Sequence, residues 1–158
     1  AVIKKLTENS IRNELIIRAI HKDLNAYNDN ILIVSDRKTH CLEISNMLTS
    51  IKIKNHLLSG STPTKERKEI VQDVKDGKCK VLIATLSLIG EGFDAPNLTA
   101  LFLTTPIKFK GRLIQTIGRI LRPEKNKIPR VYDFRDDNVK MLKYSGMARN
   151  RIYKNQWG

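Results

Sequence analysis

Ile31-Leu32-Ile33-Val34-Ser35-Asp36-Arg37-Lys38-Thr39 reads as a fully apolar run of strand length that breaks into a polar loop. A helical pattern carrying Leu42, Ile44, Met47 and Leu48 follows it. The same order then repeats along the chain. A second strand ends near Leu57-Leu58 and runs into Ser59-Gly60-Ser61-Thr62-Pro63. Thr62 as N-cap with Pro63 at the first helical position starts the next helix, whose apolar side is Ile70, Val71 and Val74 and whose stop is Asp76-Gly77-Lys78. Val81-Leu82-Ile83-Ala84 makes a third strand, followed by a glycine-rich loop or short helix from Thr85 to Pro96. A fourth strand at Leu98 to Leu103 and a fifth at Val131-Tyr132-Asp133-Phe134 complete the set. β-rich runs alternating with helices predict an α/β fold, a parallel sheet covered by helices.

Outward from this core, an opening helix spans about Ser10 to Tyr27, with Ile11, Leu15, Ile16 and Ile20 as its expected buried stripe. Asn28-Asp29-Asn30 supplies a turn. At the other end Asn138 caps an expected closing helix reaching roughly Lys154, with Val139, Leu142, Tyr144 and Ile152 on it. No repeat, linker or low-complexity tract interrupts the chain. Residues 1–158 read as one domain, with a core of about 10–135 and the closing helix at about 138–154.

With 158 residues and 41% hydrophobic content, the chain can bury a proper core without disulfides or metal. No apolar run approaches a membrane span, and no signal-peptide order opens the sequence. Cys41 and Cys79 are too far apart for a redox or zinc pair, and no histidine lies within ligand spacing of either. Both read as reduced core residues of an intracellular protein. His21, His40 and His56 have no catalytic partner in sequence and read as surface or satisfied core residues. The 29 Lys+Arg against 16 Asp+Glu leave a net charge of +13, which points to a polyanionic partner. The excess is clustered: Lys108, Lys110, Arg112, Arg119, Arg122, Lys125, Lys127 and Arg130 meet only Glu124 in their stretch.

Within that stretch, Gln115-Thr116-Ile117-Gly118-Arg119-Ile120-Leu121-Arg122 reads as a helix. Gln115, Gly118, Arg119 and Arg122 share one face, opposite Leu113, Ile114, Ile117, Ile120 and Leu121. Glycine inside a helix costs roughly 1 kcal/mol against alanine, so Gly118 fits a face that something bulky must approach. Three polar loops also stand at carboxyl ends of the predicted strands, where an open parallel sheet meets its ligands: Ser35-Asp36-Arg37, Ser59-Gly60-Ser61-Thr62, and Thr85 with Gly90-Glu91-Gly92-Phe93-Asp94. Hydroxyls, glycine amides and helix N-termini hold phosphate without reading bases.

Ile31 to Arg37, Leu58 to Thr62, Val81 to Thr85 with Gly90 to Pro96, and Gln115 to Arg122 resemble, in order, helicase motifs IV, IVa, V and VI. The set is similar to the C-terminal RecA-like domain of superfamily 2 helicases, and its wording is nearest to DEAH-like DNA-repair and recombination helicases and translocases. Gln115-Thr116 stands where DEAD-box RNA helicases have His-Arg. The resemblance implies a RecA-like parallel β-sheet flanked by helices, the second helicase domain of the P-loop NTPase type. It implies arginine fingers at Arg119 and Arg122, ATP-binding roles for Gln115, Gly92 and Asp94, and nucleic-acid contacts at Ser35, Arg37, Gly60, Ser61 and Thr85. ATP and Mg2+ would be bound mainly by an N-terminal RecA-like domain of the same parent chain, since no G-x-x-x-x-G-K-[ST] loop or Asp-Glu pair occurs in this stretch. The chain alone, a monomer off the membrane, is then expected not to turn over ATP.

The expected function is the C-terminal motor domain of an ATP-dependent DNA helicase or translocase, inside the cell or, for a viral or phage source, inside the host. A translocase subunit of a restriction or remodelling machine, an RNA helicase domain, and a non-catalytic nucleic-acid-binding module stay open beside it.

Overall fold

In the computed structural model the described residues are 9–90, 98–105, 121, 127–135 and 138–143. Chain order is α1 (Ser10–Tyr27), β1 (Ile31–Ser35), α2 (Lys38–Ser50), β2 (Asn55–Leu58), α3 (Thr64–Lys75), β3 (Val81–Thr85), α4 (Leu86–Gly90), β4 (Ala100–Leu103), β5 (Arg130–Arg135) and β6 (Asn138–Lys143). The sheet order is β2-β3-β1-β4-β5-β6. The first five strands in that order pair in parallel, and β6 adds to β5 antiparallel.

Strand register divides the core into two layers. Ile31 and Ile33 of β1 pair with Val81 and Ile83 on one side and with Ala100 and Phe102 on the other. These residues pack with Ile16, Ile17 and Ile20 of α1 and with Cys41, Ile44 and Leu48 of α2. Tyr132 and Phe134 join this layer, Tyr132 stacking on Phe102 at 4.3 Å between ring centroids. The alternate residues Leu32, Val34, Leu82, Ala84, Leu101 and Leu103 face the other way, against Ile70, Leu88, Ile89 and Leu98. A strand covered on both faces has no polar side to show, which is why its sequence is a continuous apolar run.

Asn9 caps α1 through its side chain, which accepts from the Arg12 amide at 3.1 Å. The helix closes at Asn28, whose φ of 56° is the left-handed conformation that asparagine tolerates. The buried stripe differs from the expectation. Ile11 is 76% exposed and Leu15 only half-buried, while Arg12, Asn13 and Asp23 are buried beside Ile16, Ile17 and Ile20. Polar partners across the sheet, described below, set the rotation of this helix more strongly than its apolar periodicity does. Leu42 of α2 is likewise exposed, unlike Ile44 and Leu48.

Two boundaries also need correction. Thr62 is not the N-cap of α3: the helix starts at Thr64, with Pro63 in the cap position. Thr62 instead closes a tight turn, its amide donating to Ser59 O at 3.1 Å and its Oγ1 accepting from the Ser59 amide at 3.0 Å. The closing helix expected from Asn138 begins as β6. Arg135 pairs with Asn138, so only two positions separate the strands, and the return strand covers the edge that β5 would otherwise leave open. The rest of that expected helix lies outside the described residues.

Candidate nucleic-acid interface

All five parallel strands point their carboxyl ends to one edge, and four of them finish there in hydroxyl residues. β2 leads into Ser59, β3 ends at Thr85, β1 at Ser35, and β4 runs into Thr104 and Thr105. Ser35 and Thr85 are register partners, side by side in the middle of the row. Thr85 Oγ1 lies 3.3 Å from Ser87 Oγ. Ser35 is fully buried and Thr85 is 6% exposed, so anything docking on the edge first meets the loops above them.

Those loops are tied to each other. Lys38 Nζ, at the start of α2, donates to Ser61 Oγ at 3.0 Å and so bridges the loops after β1 and β2. Ser61 Oγ is also 2.9 Å from Ser59 Oγ. Arg67 reaches back from α3 and donates to three carbonyls of the second loop: Thr62 O at 2.9 Å, Gly60 O at 2.9 Å and Ser59 O at 3.3 Å. With its carbonyls gathered on one guanidinium, the loop leaves the amides of Gly60 and Ser61 without a hydrogen bond among the described residues. Gly60 and Ser61 are both exposed. Amides presented this way are suited to a phosphate oxygen.

The loop after β1 is held differently. The Asp36 amide donates to Thr105 Oγ1 at 3.0 Å, and the Arg37 amide donates to Ser35 Oγ at 3.2 Å. Thr104 Oγ1 donates to Val34 O at 2.7 Å. Behind this loop His40 is buried between Ser35 and Asn13, a satisfied core histidine. Burial, with the nearby Arg12 charge second, lowers its pKa to about 4, so the ring is neutral. Arg12 itself is buried and donates to the carbonyls of Thr104 and Phe134, at the carboxyl ends of β4 and β5.

Of the residues expected at the site, Ser35, Arg37, Gly60, Ser61 and Thr85 come together on this edge. Gly92, Asp94, Gln115, Arg119 and Arg122 lie outside the described residues. Sequence reasoning missed Lys38, Arg67, His40, Thr104 and Thr105. The two threonines follow a strand as the other hydroxyls do and could have been found by that rule. Lys38, Arg67 and His40 carry no signal in sequence, because each acts on a loop that its own position does not reveal.

Both cysteines are free and buried. Burial pushes the Cys41 thiol up to about 11 and raises that of Cys79 as well. No helix among the described residues is long and apolar enough to cross a membrane.

Comparison with known proteins sets this geometry in context. Residues 11–124 match the family described as the helicase conserved C-terminal domain. The chain is 33% identical over 127 residues to the protein named "Putative helicase 22" of Sulfolobus islandicus filamentous virus, covering 80% of this chain and 22% of that one. It is 29% identical over 123 residues to "Putative ATP-dependent helicase IRC3" of Saccharomyces cerevisiae, covering 77% and 18%. The chain therefore spans about a fifth of the length of these curated relatives. Its fold superposes on the C-terminal domain of the DEAD-box protein Dbp5 with a TM-score of 0.69 at 18% identity, over 96% of this chain and 81% of that one. The architecture is thus the RecA-like parallel sheet flanked by helices, extended at one edge by antiparallel β6.

Proposed function

The chain belongs to the helicase conserved C-terminal domain family, and from that premise we propose that it is the second RecA-like half of an ATP-dependent motor acting on DNA. In this reading ATP sits in a cleft between this domain and an N-terminal RecA-like domain, with Mg2+ held mainly by the latter. Arg119 and Arg122 reach the γ-phosphate as arginine fingers, while Gln115, Gly92 and Asp94 meet the nucleotide; these assignments rest on the sequence resemblance. Guanidinium groups suit the task because they stay ionised and offer a planar fork of donors where negative charge develops.

The observation that carries the reading is the organised carboxyl edge, where Ser35, Arg37, Gly60, Ser61 and Thr85 stand together with Lys38 bridging two loops. Its groups are hydroxyls, amides and cations, which grip a phosphate backbone and ignore base identity, as a motor moving along any sequence requires. A net charge of +13 favours the same partner. The whole protein's work, inside the cell, would be translocation along DNA or strand separation, with closure on ATP and reopening after hydrolysis.

Binding of this chain to labelled single-stranded DNA, duplex DNA and single-stranded RNA of matched sequence tests the reading. The expected result is weak, salt-sensitive binding with DNA preferred and little dependence on sequence. Tight, salt-insensitive binding to one defined sequence would end the motor interpretation of these loops, and a clear preference for RNA would move the substrate.

A further inference from the structure

Three hydrogen bonds run in series from α1 to the loop after β1. His40 Nε2 and Asn13 Oδ1 are 2.8 Å apart, Ser35 Oγ and His40 Nδ1 are 2.8 Å apart, and the Arg37 amide donates to Ser35 Oγ at 3.2 Å. The direction follows from the chemistry of the partners. A carboxamide oxygen only accepts, so the hydrogen of the neutral ring is on Nε2 and Nδ1 keeps its lone pair. Ser35 must then donate its hydroxyl hydrogen to His40 and offer its own lone pair to the Arg37 amide. Asn13, Ser35 and His40 are at most 2% exposed, so water does not compete for the two side-chain bonds.

A hydroxyl has one hydrogen, and this one is committed. We infer that Ser35 is not a direct ligand of the nucleic-acid backbone: with His40 and Asn13 it is a positioning relay that fixes the main chain at Arg37, and the Arg37 guanidinium makes the contact. The inference deepens the function proposed above and rests on it, since Arg37 has a strand to meet only if this edge takes nucleic acid.

The neighbouring bonds point the same way. The Asp36 amide is occupied by Thr105 Oγ1 and the Arg37 amide by Ser35 Oγ, so neither amide is free for phosphate. The Arg37 side chain, by contrast, has no hydrogen bond or ion pair among the described residues and is half-buried at the lip of the loop. Arg37 is also the residue that precedes α2, in extended conformation with φ −121° and ψ 130°, so a hold on its amide sets where the helix begins and where the guanidinium emerges. The two loops therefore grip by different means: charge after β1, and open amides at Gly60 and Ser61 after β2.

Two measurements on the 158-residue chain test this, one independent of any ligand. Amide hydrogen exchange by NMR should show the Arg37 amide exchanging at least about tenfold faster in Ser35→Ala and in His40→Leu, with the amide of Leu48 in α2 unchanged. Ser35→Ala removes a single oxygen and keeps the test usable if His40→Leu does not fold. Ser35→Thr, which keeps the hydroxyl, should restore the slow rate. Anisotropy with a labelled oligothymidylate of about 20 nucleotides then reads the contact. Ser35→Ala and Arg37→Ala should each weaken binding about three- to tenfold, and the double variant should bind no more weakly than Arg37→Ala alone. Losses that multiply would give Ser35 its own contact and overturn the relay. So would Arg37 exchange that stays slow in Ser35→Ala while the unsubstituted chain binds. If the unsubstituted chain does not bind at all, the nucleic-acid reading fails and the Arg37 contact with it, while the exchange data still report the relay.

Discussion

The guanidinium of Arg130 forks onto both carboxylate oxygens of Asp23, 107 positions earlier in the chain: Nε to Oδ2 at 2.9 Å and Nη2 to Oδ1 at 3.1 Å. Both side chains are completely buried. Asp29 takes Nη1 at 3.2 Å, the Tyr132 hydroxyl donates to Asp23, and the Tyr27 ring lies 3.8 Å under the guanidinium. Burial alone would lower the pKa of Arg130, but the hydrogen bonds and charges of Asp23 and Asp29 outweigh it and raise it. The cluster fixes the last turns of α1 to the start of β5, while Arg12 fixes the first turn to the ends of β4 and β5. Pinned at both ends, α1 holds Asn13 against His40 beside the carboxyl edge of the sheet.

Asp23→Ala leaves a fully buried guanidinium with Asp29 as its remaining carboxylate. Breaking a buried pair by removing one partner costs about 3–5 kcal/mol, and urea denaturation should show a loss of that order. The half-exposed His56–Asp73 pair, at 3.2 Å, is the contrast. Asp73→Ala should change stability by at most about 1 kcal/mol. Equal losses at both sites would mean that burial of the Arg130 cluster is not what makes it matter.

His40 makes stability depend on pH. Its folded pKa, about 4, lies below the ordinary value of 6.5 that the unfolded chain shows, so between those values the unfolded state binds more protons. Stability should therefore fall as pH drops from 6.5 towards 4, and level off below that as far as this group is concerned. The full change is on the order of 3 kcal/mol. Urea unfolding at about pH 7, above this window, and at about pH 5, within it, should show a partial loss in the wild-type chain and a smaller one in His40→Leu. An identical slope in both would assign the titration to another group.

Cys41 and Cys79 should resist alkylation in the folded chain. Only the thiolate reacts, and burial both raises these pKa values and blocks access. Iodoacetamide labelling near pH 8 should run on the order of a hundredfold slower in buffer than in denaturing urea. Fast labelling of Cys41 without urea would mean that the α2 face of the sheet opens readily.

Binding to nucleic acid should weaken steeply with salt, since each phosphate neutralised releases counterions. Arg37→Ala should reduce the slope of log affinity against log salt by about one. Ser61→Ala, which keeps the backbone amide and removes only a neutral hydroxyl, should leave the slope unchanged. A slope unaffected by Arg37→Ala would take Arg37 out of the interface.

In a longer protein that joins this chain to an N-terminal RecA-like domain, Arg119→Ala should leave DNA binding largely intact while lowering ATP turnover by on the order of 10³ to 10⁵. Thr85→Ala should instead leave basal turnover in place and blunt its stimulation by DNA. Single-turnover hydrolysis with matched binding separates the two. Wild-type turnover in Arg119→Ala would remove the arginine-finger assignment.

The five parallel strands and their succession along the chain were readable from local patterns. Ile31 to Val34 and Val81 to Ala84 are apolar throughout because both of their faces are covered, and alternation with helices forces parallel pairing. From that alternation it also followed that Ser35, Ser59 to Thr62 and Thr85 would share one edge. Tertiary structure decided what no window of sequence contains. Arg12, Asn13 and Asp23 look like surface residues of α1 until their partners arrive from Thr104, His40, Phe134 and Arg130, as many as 122 positions away. Asn138 to Lys143 has enough apolar residues for either a helix or a strand, and the unpaired edge of β5 selects the strand. The direction of one hydroxyl hydrogen at Ser35 depends on a histidine and an asparagine that meet only in the folded chain. Periodicity records which residues avoid water; the pairing of polar groups across the core, where each unmet bond is costly, is settled by distance in space.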